Sequence, residues 1–178
     1  GAVQFFGTGA MAAGDLPRTN LNLTLSGSFS VSAWVKTTAS RGYDDDDALY
    51  GATIFWTYND HGNTNDTIPL AITGSKAAFM TRDHLGNSMT LHSGASVNDG
   101  NYHMITVTRN QSTGEKKIYV DGNLEASETG TTDPLNGNDY WLSIGGSSSS
   151  SYTGLLDDVQ LYSGVLSASA VAGIYNSP

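Results

Sequence analysis

GLLDDVQLY, at residues Gly154–Tyr162, is the stretch of this sequence that decides its fold. It has the alternating composition of a β-strand, which divides its residues between two faces: Leu155, Asp157, Val159 and Leu161 on one, and Leu156, Asp158, Gln160 and Tyr162 on the other. Aspartate is disfavoured in strands and costly to bury without a partner, so the adjacent carboxylates need a reason to be there. A bound cation is the simplest reason. The pattern therefore predicts a calcium ion that ties this late strand to an N-terminal strand at Ala2–Phe6 and closes the domain.

The rest of the chain predicts short strands joined by turns. Gly74-Ser75 and Asp121-Gly122 are two-residue hairpin signals, and a short helix is predicted over Ala168–Tyr175 with Ser167 as its N-cap. No helices separate the strands, so the pattern favours an all-β, two-sheet antiparallel sandwich. The other predicted strands are Ala2–Phe6, Ser28–Thr37, Thr53–Tyr58, Ile68–Thr73, Lys76–Thr81, Met89–His92, His103–Arg109, Lys117–Val120, Leu124–Ser127 and Trp141–Gly145.

The composition limits the possible partners. With 8 Lys and Arg against 17 Asp and Glu, the net charge is −9 and the basic residues are scattered, so we expect no binding to nucleic acid or anionic lipid. A neutral glycan suits this charge better than a sulfated or uronic one, unless calcium bridges the two. No apolar run approaches the ~20 residues that span a membrane, so membrane insertion is not expected. The absence of cysteine excludes disulfides and thiolate metal sites.

The length of 178 residues fits a single domain over residues 1–178. The abrupt start at Gly1 and end at Pro178 are typical of a module excised from a larger secreted protein. We therefore expect a monomeric module with a secreted or cell-surface location.

Four segments, taken together, resemble the laminin G-like, concanavalin A-like jelly-roll family. They are Gly27–Lys36 (GSFSVSAWVK), Asp99–Thr108 (DGNYHMITVT), Ile118–Leu124 (IYVDGNL), and Leu142–Gly146 (LSIGG) with Gly154–Tyr162. The similarity extends over nearly the whole chain, up to the closing LSASAVAGIYN. It implies a jelly-roll sandwich with a short C-terminal helix. Members are usually non-catalytic modules of secreted or surface proteins, and in bacteria they often sit beside glycoside hydrolases or polysaccharide lyases and bind glycans.

The resemblance also implies a calcium site, because a structural calcium commonly joins the first and last strands in this superfamily. Transferred by motif, its ligands are the Asp157 side chain and main chain and a backbone carbonyl near Gly7, with Asp158 as the alternative carboxylate. Relatives often have a carboxylate just before the glycine of the first strand, where this chain has Phe6. That departure implies either fewer side-chain ligands and more water, or a weaker or absent calcium.

A strand followed by a polar loop supplies the first candidate glycan-binding residues. Sugar binding needs a flat aromatic surface for C–H faces and planar polar groups for hydroxyls. Trp56 and Tyr58 end a predicted strand, and the loop after it adds Asp60, His61, Asn63 and Asp66. The alternative is that Phe55 and Trp56 simply alternate, with one of them in the core.

A second group of candidates lies beside other strand ends. Arg82, His84 and Trp141 are placed where loops gather at one rim, and Arg82 could make a bidentate contact to a diol or carboxylate. The alternative for Arg82 is a structural ion pair with Asp83 or with the acidic run Asp44–Asp47.

Two further features remain open on the sequence alone. Trp34 faces away from the apolar set of its strand, so either the second sheet covers it or it lies on a concave binding face. The acidic run Asp44–Asp47 lacks the glycine and distal glutamate of an EF-hand loop. It is either a solvated loop or a second calcium site.

The glutamates argue against catalysis by a related glycosidase mechanism. A retaining glycosidase needs two carboxyl groups about 5–5.5 Å apart. The chain has only Glu115, Glu125 and Glu128, in a predicted turn and on one hairpin arm, and no strand carries a clustered acidic motif. We therefore expect no enzymatic activity in this module itself, and attachment to a glycoside hydrolase or polysaccharide lyase is compatible with that expectation.

The most favoured function is a calcium-stabilised, non-catalytic carbohydrate-binding module that targets a parent enzyme or surface protein to polysaccharide or oligosaccharide. The alternatives are a protein-interaction or adhesion module, or a structural spacer, in a bacterial surface protein. The sequence favours the first only through its aromatic and polar loop residues, because fold does not fix function.

Overall fold

The computed structural model describes residues 2–6, 11–12, 25, 27–59, 67–135, 140–146 and 150–177. These residues form two six-stranded antiparallel sheets and a C-terminal helix, which confirms the predicted all-β sandwich. Sheet A has the order β1-β12-β3-β8-β9-β10 and sheet B the order β2-β11-β4-β5-β6-β7. The elements are β1 Val3–Phe6, β2 Met11–Ala12, β3 Phe29–Lys36, β4 Ala52–Asn59, β5 Thr67–Thr73, β6 Lys76–Arg82, β7 Ser88–Ser96, β8 Tyr102–Arg109, β9 Glu115–Val120, β10 Asn123–Thr129, β11 Tyr140–Ile144, β12 Thr153–Ser163 and α1 Ala168–Asn176.

The core lies between the two sheets, where alternating apolar residues of each sheet face one another. In β3 the predicted inward set is confirmed, since Phe29, Val31, Ala33 and Val35 are all buried. Phe29 of sheet A meets Phe79 of sheet B edge to face, with ring centroids 6.2 Å apart. This contact joins the two layers of one continuous core.

A β-bulge interrupts the alternation predicted for β12. Asp157 pairs with Trp34 and Gln160 with Ser32, so Asp158 and Val159 together oppose a single residue of β3. Asp158 has φ 45°, the left-handed conformation that such an extra residue adopts. The prediction that Leu156 and Leu161 face opposite sides is therefore wrong: Leu156 is in the core, and Val159 and Leu161 pack against it.

The N-terminal strand and the late strand lie side by side, as the predicted calcium link requires, but they are joined by direct strand pairing. β1 pairs antiparallel with β12, from Val3 opposite Leu156 to Phe6 opposite Thr153. Both predicted hairpins are confirmed as two-residue turns, at Gly74-Ser75 and at Asp121-Gly122. Asp121 and Gly122 both have positive φ, the requirement of the type I′ turn that matches strand twist.

Helix α1 covers the outer face of sheet A. Its N-cap is Ser167, as predicted, whose hydroxyl accepts a hydrogen bond from the Ala170 N–H at 3.2 Å. The Trp34 ring stacks on Tyr175 of the helix, with centroids 5.6 Å apart and planes 23° apart. The alternative in which the second sheet covers Trp34 is wrong, because the chain's own helix packs on it; the alternative of a binding face stays a prediction. In the part of the chain that is described, no helix has the length and apolar character needed to cross a bilayer.

Candidate functional site

Strand register brings four of the predicted site positions together on the outer face of sheet B. Trp141 of β11 pairs with Tyr58 of β4, Tyr58 with Thr67 of β5, and Thr67 with Arg82 of β6. Trp56 lies two residues before Tyr58 on β4, and positions two apart on a strand share a face. We refer to Trp56, Tyr58, Thr67, Arg82 and Trp141 as the outer-face site.

A bulge in β4 decides which face Trp56 occupies. The register shifts between Thr53 and Phe55, so Ile54 and Phe55 are both buried in the core. Strict alternation would have put Ile54 and Trp56 on the same, inner face. One of the adjacent aromatics is therefore in the core, as the alternative prediction held, but it is Phe55, and Trp56 remains half-buried on the outer face.

A hydrogen-bond chain fixes the Trp56 indole across the sheet. Its Nε1–H donates to Thr67 Oγ1 at 2.7 Å, and the Thr67 hydroxyl donates to the Thr57 carbonyl at 2.8 Å. The ring is thus held against the neighbouring strand by its polar end. A preorganised aromatic ring loses little conformational freedom when a ligand stacks on it.

Arg82 is half-buried, and within the described residues its guanidinium makes neither a hydrogen bond nor an ion pair. The predicted alternative of an ion pair with Asp83 is wrong. Asp83 is buried, and its carboxylate accepts four hydrogen bonds, from Leu85 N, Asn87 N, Asn87 Nδ2 and Thr131 Oγ1. Burial opposes ionisation of Asp83, but these hydrogen bonds outweigh it and lower its pKa.

The turn after β6 carries another of the predicted residues. His84 is half-buried, and its Nδ1 is buried without a hydrogen-bond partner in the described structure. Five other predicted site residues lie outside the described residues: Gly7, Asp60, His61, Asn63 and Asp66.

The acidic run Asp44–Asp47 builds a loop rather than standing free in solvent. Three of its carboxylates accept backbone N–H groups: Asp44 from Ser75 at 2.6 Å, Asp46 from Tyr43 at 2.7 Å and Asp47 from Leu49 at 2.9 Å. Asp47 thereby caps a short 3₁₀ turn at Ala48–Tyr50 that the sequence did not predict.

This loop packs on the outer face of sheet B. Ala48 is buried against Ala71, Ala78 and Met80. The loop leaves two tyrosines strongly exposed, Tyr43 at 77% and Tyr50 at 69%. Sequence reasoning missed both, although an aromatic residue within a polar loop was the available signal.

The predicted calcium residues lie on β12 beside the β1 edge. Asp157 is half-buried and its Oδ1 accepts the Asp158 N–H at 3.0 Å, whereas the Asp158 side chain is exposed. Asp158 also lines a small pocket between β12 and the end of α1. Among the described residues no three acidic or histidine side chains are grouped as metal ligands. A calcium at this edge would therefore depend on one carboxylate, main-chain carbonyls and water, and the prediction stays untested.

The two-sheet antiparallel sandwich defines a jelly-roll domain. A family model described as the concanavalin A-like lectin/glucanases superfamily matches residues 8–172, and the chain belongs to this family, in its laminin G-like branch. Among curated protein sequences, no significant match was found.

Solved structures share the fold at low sequence identity. CBM40 of the Ruminococcus gnavus IT-sialidase, bound to α2,3-sialyllactose, superposes with a TM-score of 0.73 and 18% identity, covering 98% of this chain and 96% of that one. Domains LG4-5 of the mouse laminin α1 chain give 0.64 and 17%, covering 95% and 44%. The binding domain of Paraclostridial Mosquitocidal Protein 1 gives 0.59 and 16%, covering 85% and 37%. The chain thus spans less than two-fifths of that toxin domain.

Proposed function

We propose that the chain is a non-catalytic carbohydrate-binding module that holds a parent enzyme or surface protein on polysaccharide, and that the outer-face site binds the glycan. The main support is the convergence of Trp56, Tyr58, Trp141 and Arg82 on neighbouring strands of one face. The CBM40 structure with bound sialyllactose has the same fold over nearly the whole of both chains, which also supports a glycan ligand.

The chemistry of these side-chain types suits a sugar. An indole ring offers a flat apolar surface to the C–H face of a pyranose, and a guanidinium offers paired N–H donors to hydroxyl or carboxylate oxygens. The Trp56 indole is already held in place by its bond to Thr67. A site of this kind binds without needing any reacting group.

The positions of the glutamates support a role without catalysis. Glu115 and Glu128 lie on the β9–β10 hairpin of sheet A, where Glu115 accepts from Lys117 Nζ at 2.8 Å. Glu125, on the same hairpin, accepts the Ala95 N–H at the edge of sheet B. None of the three is on β4, β5, β6 or β11, the strands of the outer-face site, so they offer no carboxylate pair there.

The proposal includes a structural calcium at the β1–β12 edge, with Asp157 as its side-chain ligand and Asp158 as the alternative. Calcium takes six to eight oxygens and readily accepts carbonyls and water, so one carboxylate is chemically sufficient. The module is further proposed to be monomeric and to work in a secreted or cell-surface protein.

A protein-interaction or adhesion module is the second candidate. The exposure of Tyr43 and Tyr50 favours it, since tyrosine is enriched at protein interfaces. The similarity in fold to laminin domains LG4-5 points the same way. On this hypothesis the exposed loop, rather than the outer-face site, makes the contact.

A glycan array separates the two candidates. The wild-type chain is expected to bind a subset of glycans, and Trp56→Ala to lower the affinity at least tenfold. Tyr102→Ala is the matched control, because Tyr102 is an exposed aromatic residue on sheet A. Repeating the array with EDTA tests whether calcium takes part in binding or only in stability. Binding to no glycan, with an intact fold, would reject the module proposal in favour of the adhesion module.

A further inference from the structure

We propose that the glycan bound at the outer-face site carries a carboxylate, and that Arg82 binds it; this inference rests on the function proposed above. It differs from the neutral glycan that the net charge of −9 favours. The net charge describes the whole surface, whereas contact with a ligand depends on the groups within a few ångströms.

Arg82 differs from the other arginines that the structure describes. Arg109 is fully buried and donates to three main-chain carbonyls, of Gly27, Thr131 and Asp133. Arg41 donates from Nε to the Tyr50 carbonyl at 3.1 Å. Arg82 is half-buried, yet in the described part of the chain its guanidinium has no acceptor at all, and none of its nitrogen atoms is fully shielded from solvent.

The Arg82 guanidinium has no acceptor in the described protein, so its N–H donors can pair with an anionic ligand. The planar fork of five N–H donors matches the two oxygens of a carboxylate, and such bidentate pairs are among the strongest hydrogen-bonded contacts in proteins. A neutral hydroxyl gives a weaker bond and leaves the charge uncompensated. The unpartnered state of Arg82 therefore favours a carboxylated sugar over a neutral one.

No described carboxylate makes an ion pair with Arg82. Asp83, its neighbour in sequence, is saturated by four hydrogen bonds on the buried side of the turn. Asp44, Asp46 and Asp47 bond to backbone N–H groups of their own loop or of Ser75. The Arg82 guanidinium therefore has no protein carboxylate as its partner and can pair with a carboxylate of the ligand.

The spacing on the sheet suits a glycan of two or more sugar units. Arg82 on β6 is separated by two strand intervals from Tyr58 on β4, which is about 10 Å. One sugar can stack against the aromatic positions while the carboxylate of the next reaches Arg82.

Matched sets of three glycans test the inference. Each set consists of a uronic or sialic acid oligosaccharide, its carboxyl methyl ester and its neutral parent sugar, and affinities are measured by calorimetry. We expect the free acids to bind at least tenfold more tightly than the esters and parents. Arg82→Gln should abolish that difference by lowering the affinity for the free acids to that of the esters, while Arg82→Lys should retain part of it.

The possible outcomes distinguish failure of the Arg82 inference from failure of the proposed carbohydrate-binding function. Equal affinity for acid, ester and parent, lost in Trp56→Ala but unaffected by Arg82→Gln, would overturn the role of Arg82 and keep the carbohydrate-binding module. Absence of binding to every member, with the folded state verified by circular dichroism, would overturn both.

Discussion

Each of the two sheets of this sandwich carries a tryptophan on its outer face, and the two tryptophans make different contacts. Trp34 of sheet A stacks on Tyr175 of α1, within a small cluster that includes buried Met104 and Val171. Trp56 of sheet B is tied to its neighbouring strand by one hydrogen bond, on a face that also holds an arginine with no partner in the described residues.

The different surroundings of Trp34 and Trp56 suggest a criterion that separates an aromatic residue with a structural role from one proposed to bind a ligand. The outer face of sheet A is covered by the chain itself, because the nine-residue helix α1, Ala168–Asn176, packs its apolar face against it. On sheet B the acidic loop covers the positions around Ala71, Ala78 and Met80, but Arg82 is left without an acceptor. This contrast supports the proposal that the outer face of sheet A serves stability and that of sheet B serves binding.

Replacing Trp34 is expected to have the largest effect on stability. Trp34→Ala removes the ring that stacks on Tyr175 and loosens α1, so the free energy of unfolding should fall by about 3 kcal/mol, as for other large-to-small changes in packed sites. Glycan binding by the folded fraction should not change. Urea unfolding followed by circular dichroism measures the loss.

The matched variant is Trp56→Ala, which should cost less than half as much stability and remove glycan binding. If the two variants destabilise the protein equally, Trp56 is as structural as Trp34, and the contrast between the two faces is lost.

The bulge in β12 gives the next largest expected effect. Asp158 has φ 45°, which aspartate and glycine tolerate but a β-branched residue does not. Asp158→Val should therefore lower the free energy of unfolding by about 2 kcal/mol, whereas Asp158→Gly should leave it unchanged or raise it slightly. Thermal unfolding of the three proteins in EDTA measures this without any metal contribution.

The same variants sharpen the calcium proposal. In calcium at ten times its dissociation constant, the wild type should gain about 1.4 kcal/mol over the EDTA sample. Asp158→Gly should keep that gain if Asp157 is the ligand, and Asp157→Asn should lose it. Melting that is indifferent to calcium in the wild type contradicts the site and leaves the bulge as the whole reason for the paired aspartates.

Local periodicity was sufficient to predict most of the fold. The inward set of β3, the Asp121-Gly122 turn and the Ser167 cap depend on neighbouring residues, and all three are confirmed. The bulges at Ile54 and Asp158 were not predictable, because an extra residue in one strand is defined only against its partner strand. Both bulges change which face the following residues occupy.

The candidate site was predicted in parts and not as a unit. Aromatic and arginine residues near strand ends are visible in the sequence, but their adjacency follows from the order β11-β4-β5-β6. The missing partner of Arg82 follows from contacts that Asp83 makes with Asn87 and Thr131, the latter 48 residues away. Hydrogen bonds between residues so far apart in the chain leave no recognisable pattern in a single sequence.

The smallest expected effect is a pH dependence of stability in sheet A. His103 lies between two carboxylates, with Nδ1 2.8 Å from Asp121 and Nε2 3.0 Å from Asp99. Burial opposes its protonation, but the hydrogen bonds to Asp121 and Asp99 outweigh burial and raise the pKa of His103. The Asn101 backbone N–H, the Asn101 side chain and His103 together lower the pKa of Asp99 to about 2.

The two shifts give opposite slopes in different pH ranges. A raised histidine pKa stabilises the fold below the unfolded pKa of 6.5, and this contribution is lost as pH rises through the higher folded value. The lowered pKa of Asp99 stabilises the fold above 3.8 and is lost as pH falls toward 2. Melting temperature should therefore decline above neutral pH in the wild type and less so in His103→Gln. His92→Gln is the control, since its ring contacts the main-chain carbonyl of Asp46 rather than a carboxylate; a wild-type decline that persists unchanged in His103→Gln would contradict the assignment.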